Sequence, residues 1–212
     1  MEKRTISFSP PDISEAEINE VAEALRSGWI TTGPRTKKLE KEIVGWIGTD
    51  KCVCLNSQTA CAEMALHILG IGKDDEVIVP AYTYTASASV IDHVGAKIVM
   101  IDSQKNSLEM DYDAVEAAIT ERTKVIIPVD LGGVPCDYDR IFEIVERKKS
   151  LFKPSNEIQK AIGRIAICAD TAHAFGTKWH GKMAGSIADF SSFSFHAVNL
   201  LFIKGGLVAK TA

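Results

Sequence analysis

Four stretches of the sequence set polar, chemically competent residues directly behind apolar runs. Asn56-Ser57-Gln58-Thr59-Ala60 closes the run KCVCLN (51–56) and leads into a helical pattern. Free N–H groups at a helix start, with the hydroxyls of Ser57 and Thr59, suit an anion such as phosphate; they also fit an ordinary N-cap. Pro80-Ala81-Tyr82-Thr83-Tyr84-Thr85 closes EVIVP (76–80) and brings two rings, either to pack in a core or to stack on a planar heteroaromatic group. IAICAD (165–170) ends in Asp170, followed by Thr171-Ala172-His173. A carboxylate there would hold a protonated ring nitrogen and raise its pKa. FSSFSF (190–195) runs through Ser194 and Phe195 to His196, offering a further hydroxyl for a phosphate. His173 and His196, each taken alone, fit structural roles as readily as catalytic ones. These His and Asp residues lack the spacing of a zinc site. No GxGxxG or Walker sequence is present, which disfavours a dinucleotide or nucleoside triphosphate. Gly70-Ile71-Gly72-Lys73 ends a helix instead of opening one.

The elements that must position these residues follow from the hydropathy pattern. KCVCLN, EVIVP, KIVMID (97–102), KVIIPVD (124–130), IAICAD and FSSFSF have strand length and are apolar on both faces, as in a sheet covered on both sides. Helical spacing lies between them: Ala60, Met64 and Ile68; Val115, Ala118 and Ile119; Ile141, Ile144 and Val145. This alternation predicts a three-layer α/β/α fold around a mostly parallel sheet. In such sheets ligands bind beyond the carboxyl ends of the strands, where all four polar stretches fall. A further helix opens at the Ser14/Glu17 capping box, with Ile13 and Ile18 placed for a hydrophobic staple. Its stripe continues through Val21, Ala22 and Leu25, and Gly28 ends it. Residues 1–13 read as an N-terminal arm and 14–212 as one large domain, with 148–161 a polar surface connection whose charges are solvated.

Composition sets outer limits. With 24 basic and 28 acidic side chains in 212 residues and a net charge of −4, the chain carries no clustered basic footprint for nucleic acid or an anionic membrane. No apolar run reaches the length of a membrane span, and the start MEKRTISFSPPD does not read as a signal peptide. Five cysteines, an odd count, then read as reduced thiols in a cytoplasmic protein. Cys52 and Cys54 share one face of a predicted strand and Cys61 the next helix; without a paired CxxC or a nearby His they read as packing residues, and no metal site is expected.

The order GWITTGP (28–34), NSQTACAEMAL (56–66), PAYTYTASA (80–88), ADTAHAFGTKWHGKMAGSIADFSSFSFHAV (169–198) and Gly205-Gly206 resembles, over the whole chain, the DegT/StrS family of sugar aminotransferases. These are pyridoxal-phosphate enzymes of the aspartate aminotransferase fold. The resemblance implies that Ser57, Gln58 and Thr59, with the Ser194 hydroxyl, hold the cofactor phosphate. It further implies that Tyr84 stacks on the pyridine ring, that Asp170 pairs with its nitrogen, and that His173, where many members have Gln, lies near the ring hydroxyl. A homodimer, an amino-acid donor (glutamate by resemblance), a nucleotide-linked keto-deoxysugar as acceptor and a place in polysaccharide biosynthesis are implied with it. A sugar dehydratase using pyridoxamine phosphate, or an inactive fragment of the fold, are the alternatives.

Two departures stand out. The family's Schiff-base lysine is expected between Val198 and Asn199, and the sequence passes from one to the other without it. A cofactor-bonded lysine lost from the sequence as a non-standard residue accounts for a one-residue gap at that position. Native inactivity and substitution by Lys204 are the other readings. Family members are also nearly twice as long, with a carboxy-terminal small domain, so 14–212 is expected to be an incomplete large domain. Gln58 stands where Gly is frequent, and Asp130-Leu131-Gly132-Gly133 where many members have His-Leu-Tyr-Gly.

Overall fold

The computed structural model describes residues 13–196 and the backbone of 205–209. Two helices, α1 (Glu15–Arg26) and α2 (Pro34–Ile47), precede the alternation of β1 (Lys51–Leu55), α3 (Gln58–Ile68), β2 (Glu76–Pro80), α4 (Ala86–His93), β3 (Lys97–Ile101), α5 (Tyr112–Ala118) and β4 (Thr123–Ile126). Helices α6 (Tyr138–Arg147) and α7 (Glu157–Ile162) lead to β5 (Ala166–Asp170), a small hairpin β6 (Lys178–Trp179) and β7 (Lys182–Met183), then β8 (Phe190–Ser194) and β9 (Gly205–Ala209). The main sheet has the order β1-β9-β8-β5-β4-β2-β3. Strand β9 runs antiparallel to both neighbours and the other pairings are parallel, which makes the sheet mostly parallel as expected.

Alternation along the central strands builds two cores. Val77, Val79, Val125, Ala166 and Cys168 face α3 and α4, where Cys61, Ala65, Leu66, Val90 and Ile91 meet them. Ile78, Ile126, Ile165, Ile167 and Ala169 face the other way, onto Val115 of α5 and Ile141, Ile144 and Val145 of α6. Each such Ile or Val, removed from water, contributes about 1.5–3 kcal/mol. The three-layer arrangement follows from these two faces.

The structure corrects five expectations. Ala60, Met64 and Ile68 are not the inner face of α3: Met64 and Ile68 are exposed, and the small residues Cys61, Ala62 and Ala65 bring the helix close to the sheet. The α1 capping box forms, yet Ile18, Val21 and Leu25 remain exposed, and Ile13 with Ile18 buries no staple. Strands β1 and β3 are edges whose helix cover is incomplete, leaving Val53 and Met100 exposed. The fourth run ends as a strand at Ile126 because Pro128 has no N–H to donate; its carbonyl still accepts from Asp170 N at 2.8 Å, and pairing resumes at the Val129–Asp170 bridge. The connection 148–161 contains α7, where Asn156 caps the helix and its amide, with that of Gln159, donates to Leu69 O at 2.7 and 2.8 Å. The charges there do lie at the surface, as in the Lys153–Glu121 pair.

Candidate active site

The site grows from the carboxyl end of β5. Asp170 is its last residue and shares a face with Ala166 and Cys168, so it points into the layer formed by α3 and α4. It is 5% exposed. Ser87, in the first turn of α4, donates to Asp170 Oδ2 at 2.7 Å, and the Ala172 N–H donates to Oδ1 at 3.1 Å. The Gln58 side chain, at the start of α3, acts on the same carboxyl while donating to Ser192 Oγ at 2.8 Å. Among the described residues no salt bridge reaches Asp170. Burial therefore pushes its pKa up, against the opposing pull of Ser87, Ala172, His173 and Gln58.

Two further features converge on this end of the sheet. Ser57 is the N-cap of α3 and accepts from Ala60 N at 3.1 Å, so its hydroxyl serves the ordinary capping role. The backbone N–H groups of Gln58 and Thr59 and the Thr59 hydroxyl have no partner among the described residues, and they form the positive end of the helix. Ser194 lies two residues beyond Ser192 on β8, hence on the same face, and its Oγ accepts from His196 N at 3.3 Å. Tyr82 and Tyr84, in the loop before α4, are 59% and 79% exposed, which removes the core-packing reading of both rings.

A second buried acid stands behind the first. Asp130 lies on the opposite face of the strand layer, 1% exposed, and receives Cys136 N at 2.9 Å and the Tyr138 hydroxyl at 3.0 Å from both carboxyl oxygens. Its own N–H donates to Asp170 O at 3.0 Å. Burial pushes the Asp130 pKa up to about 7, with the charge of Asp170 adding to the effect. The turn that follows has Gly132 and Gly133 in the left-handed region, and a Cβ at Gly133 would stand 3.0 Å from His173 O. The Gly132 N–H donates to His173 Nδ1 at 3.2 Å, which leaves the exposed ring its Nε2 for a proton to donate.

The sequence-derived set Ser57, Gln58, Thr59, Asp170, His173 and Ser194 is thus gathered around the carboxyl ends of β5 and β8, with Tyr84 on the loop that Ser87 ties to Asp170. Val198, Asn199 and Lys204 lie outside the described residues. Sequence reasoning missed Ser87, the side chain of Gln58 and the burial of Asp130. The alternation of β5 placed Asp170 on the α3/α4 side, but α4 itself carries no strong amphipathic pattern by which Ser87 would have been set opposite it. Among the described residues no group of three or more His, Cys, Asp or Glu is arranged to hold a metal. The Cys52 thiol is raised by its hydrogen bond with Cys54 and by burial, and burial pushes Cys61 up to about 12, so both are protonated at neutral pH. Among the described residues no helix is long and apolar enough to cross a membrane.

Comparison with known proteins gives the site a context. Spr1654 of Streptococcus pneumoniae, described as a sugar aminotransferase, is 57% identical; its pyridoxal-phosphate form superposes with a TM-score of 0.96 over 99% of this chain and 53–54% of that one, as does its pyridoxamine-phosphate form. The spore coat polysaccharide biosynthesis protein SpsC of Bacillus subtilis is 38% identical over 204 residues, 96% of this chain and 49% of SpsC. An uncharacterised protein of Methanocaldococcus jannaschii is 41% identical over 206 residues, 95% of this chain and 50% of that protein. The chain spans about half the length of the curated relatives it matches. Residues 11–211 match the DegT/DnrJ/EryC1/StrS aminotransferase family, and the chain belongs to that family.

Proposed function

We propose that this chain forms the cofactor-binding part of a pyridoxal-phosphate-dependent aminotransferase. It moves an amino group from an amino acid, glutamate by family resemblance, to the keto group of a nucleotide-linked deoxysugar. The observation that carries this reading is Asp170: a carboxylate 5% exposed, at the carboxyl end of a parallel strand, with no salt bridge among the described residues. A protonated ring nitrogen supplies the missing positive charge. The unpartnered N–H groups of Gln58 and Thr59 fit a phosphate at the other end of the same ligand.

The residues then divide the work. The start of α3 at Ser57, Gln58 and Thr59, with Ser194, receives the phosphate. Tyr84, exposed at 79%, covers the ring face, and His173 serves the ring hydroxyl through Nε2. Asp170 holds the nitrogen protonated, since a neighbouring negative charge in a buried setting favours the cation. When bound, the cofactor supplies an electron sink for charge developing on the substrate carbon. The amine that shuttles the proton belongs to the lysine expected between Val198 and Asn199. Two copies are expected to associate as a homodimer, and Spr1654 in its two cofactor forms and the pathway named for SpsC support the acceptor class.

Transfer tests this directly. With 15N-glutamate and a nucleotide-linked keto-deoxysugar, the label is expected in an amino-sugar product. Water loss from the sugar with no nitrogen gained would replace the reading with a dehydratase. A peptide from a digest of the full-length protein in which Val198 is joined directly to Asn199 would remove the lysine from it.

A further inference from the structure

We propose that Ser87 is a positioning residue: it fixes the Asp170 carboxylate and ties to it the loop that carries Tyr84. This rests on the reading above, in which Asp170 meets a protonated ring nitrogen and Tyr84 the ring face.

One residue makes three directed contacts. Its Oγ donates to Asp170 Oδ2 at 2.7 Å, its N–H donates to Tyr84 O at 3.2 Å, and its Oγ lies 3.0 Å from Thr83 Oγ1. An ionised carboxylate only accepts, so the single Ser87 hydroxyl proton goes to Asp170. Thr83 must then be the donor to Ser87, and the chain runs one way, from Thr83 through Ser87 to Asp170. Each hydroxyl polarises the next, which strengthens the last bond onto the carboxylate. Thr85, the N-cap of α4, makes no side-chain capping bond, whereas Ser87 donates from this turn to the end of β5. Ser87 is 1% exposed, and water does not reach it as a substitute donor. The contact to the ring nitrogen and the contact to the ring face are thereby set by one side chain on one helix turn.

Binding of pyridoxamine 5′-phosphate to the full-length protein tests this, because that probe needs no lysine for attachment. Its affinity is compared with that of an analogue carrying carbon in place of the ring nitrogen. Ser87→Ala is expected to raise the dissociation constant for pyridoxamine phosphate by about tenfold or more, the scale of a hydrogen bond to a charged group. Ser87→Thr should restore it to within about threefold, and Thr83→Val, which keeps the shape and removes the donor, should weaken binding by about threefold. For the carbon analogue, Ser87→Ala should weaken binding by no more than about threefold, the part that comes through the Tyr84 loop, since Asp170 then has no ring charge to meet. Equal weakening toward both probes, or none toward either, would overturn the proposal and leave Ser87 as packing. If Ser87→Ala does not fold, Thr83→Val carries the same two-probe comparison. An unaltered protein that binds neither probe would instead overturn the cofactor reading, and this proposal with it.

Discussion

The two ends of the parallel sheet solve the burial of an acid in opposite ways. At the amino end Glu76, the first residue of β2, is 2% exposed and surrounded: Thr120 Oγ1 donates at 2.6 Å, Lys97 Nζ at 3.0 Å and Arg122 at 2.6 Å. Burial works against its charge, yet the Thr120 hydroxyl and the two cations hold its pKa below the ordinary range. At the carboxyl end Asp170 and Asp130 are equally buried, neighbours through a backbone hydrogen bond, and among the described residues neither has a salt bridge. A buried charge is retained when paired and costly when not. The amino end is therefore electrostatically closed, whereas among the described residues no salt bridge reaches either acid at the carboxyl end. That asymmetry, more than any single residue, supports the proposed site at the carboxyl end.

The strongest way to break this contrast is to neutralise one acid at each end. Asp170→Asn should lower the transamination rate by roughly 10²- to 10³-fold, the scale of losing one preorganised electrostatic partner, while the melting temperature of the ligand-free protein holds or rises. Glu76→Gln should do the reverse. It removes charge-assisted hydrogen bonds and should cost about 1–3 kcal/mol in urea unfolding, with pyridoxamine-phosphate affinity unchanged. A stability loss in Asp170→Asn equal to that in Glu76→Gln would show that both acids are structural.

The pH dependence of stability sharpens the same contrast, because the two ends contribute with opposite sign. Asp130 titrates near 7 in the folded chain and near about 3.9 when unfolded. Between those values the unfolded chain releases a proton that the folded chain keeps, so this group's contribution falls as pH rises and levels off above the folded pKa. Glu76, held low by Thr120, Lys97 and Arg122, stabilises above the unfolded carboxylate pKa and loses that contribution as pH falls. Asp130→Asn should therefore gain on the order of 1 kcal/mol or more at pH 8 and nothing at pH 4. Cys136 N and the Tyr138 hydroxyl, the present partners of Asp130, can both pair with the new amide. Chemical denaturation at the two pH values checks this, and a gain of equal size at both would assign it to packing instead of charge.

How much of this was legible beforehand depended on whether a residue acts along the chain or across it. The unbroken apolar run of Val77, Ile78 and Val79 and the 3.6-period spacing of Ile141, Ile144 and Val145 are local patterns, and they gave the layers and the strand set. Asp170, Ser194 and the start of α3 were found because strand ends adjoin polar residues in sequence. Met64 and Ile68 misled, since α3 has apolar residues on two faces and periodicity alone does not say which one small residues such as Ala62 and Ala65 draw to the sheet. Ser87 and the burial of Asp130 were out of reach. Their importance lies in bonds to Asp170, 83 and 40 positions away, and a serine in a short helix or an aspartate before a glycine pair carries no local mark of being buried.

Tyr84 gives the last and smallest test, and it asks whether the open end also offers an apolar surface for its ligand. An exposed aromatic ring beside a buried acid is costly to leave in water, yet it has value once a flat ring covers it. Removing the ring with Tyr84→Ala should weaken pyridoxamine-phosphate binding by roughly three- to tenfold, the scale of one aromatic pair beyond simple burial. Tyr84→Phe, which keeps the face and removes only the hydroxyl, should bind within about twofold of the unaltered protein, because among the described residues no hydrogen bond of that hydroxyl holds the loop. The backbone carbonyl of Tyr84, which accepts from Ser87 N at 3.2 Å, is present in both variants, so the loop keeps its anchor and the difference between them reports the ring face alone. If Phe weakens binding as much as Ala does, the hydroxyl and not the face makes the contact, and the ring belongs beside the ligand instead of over it.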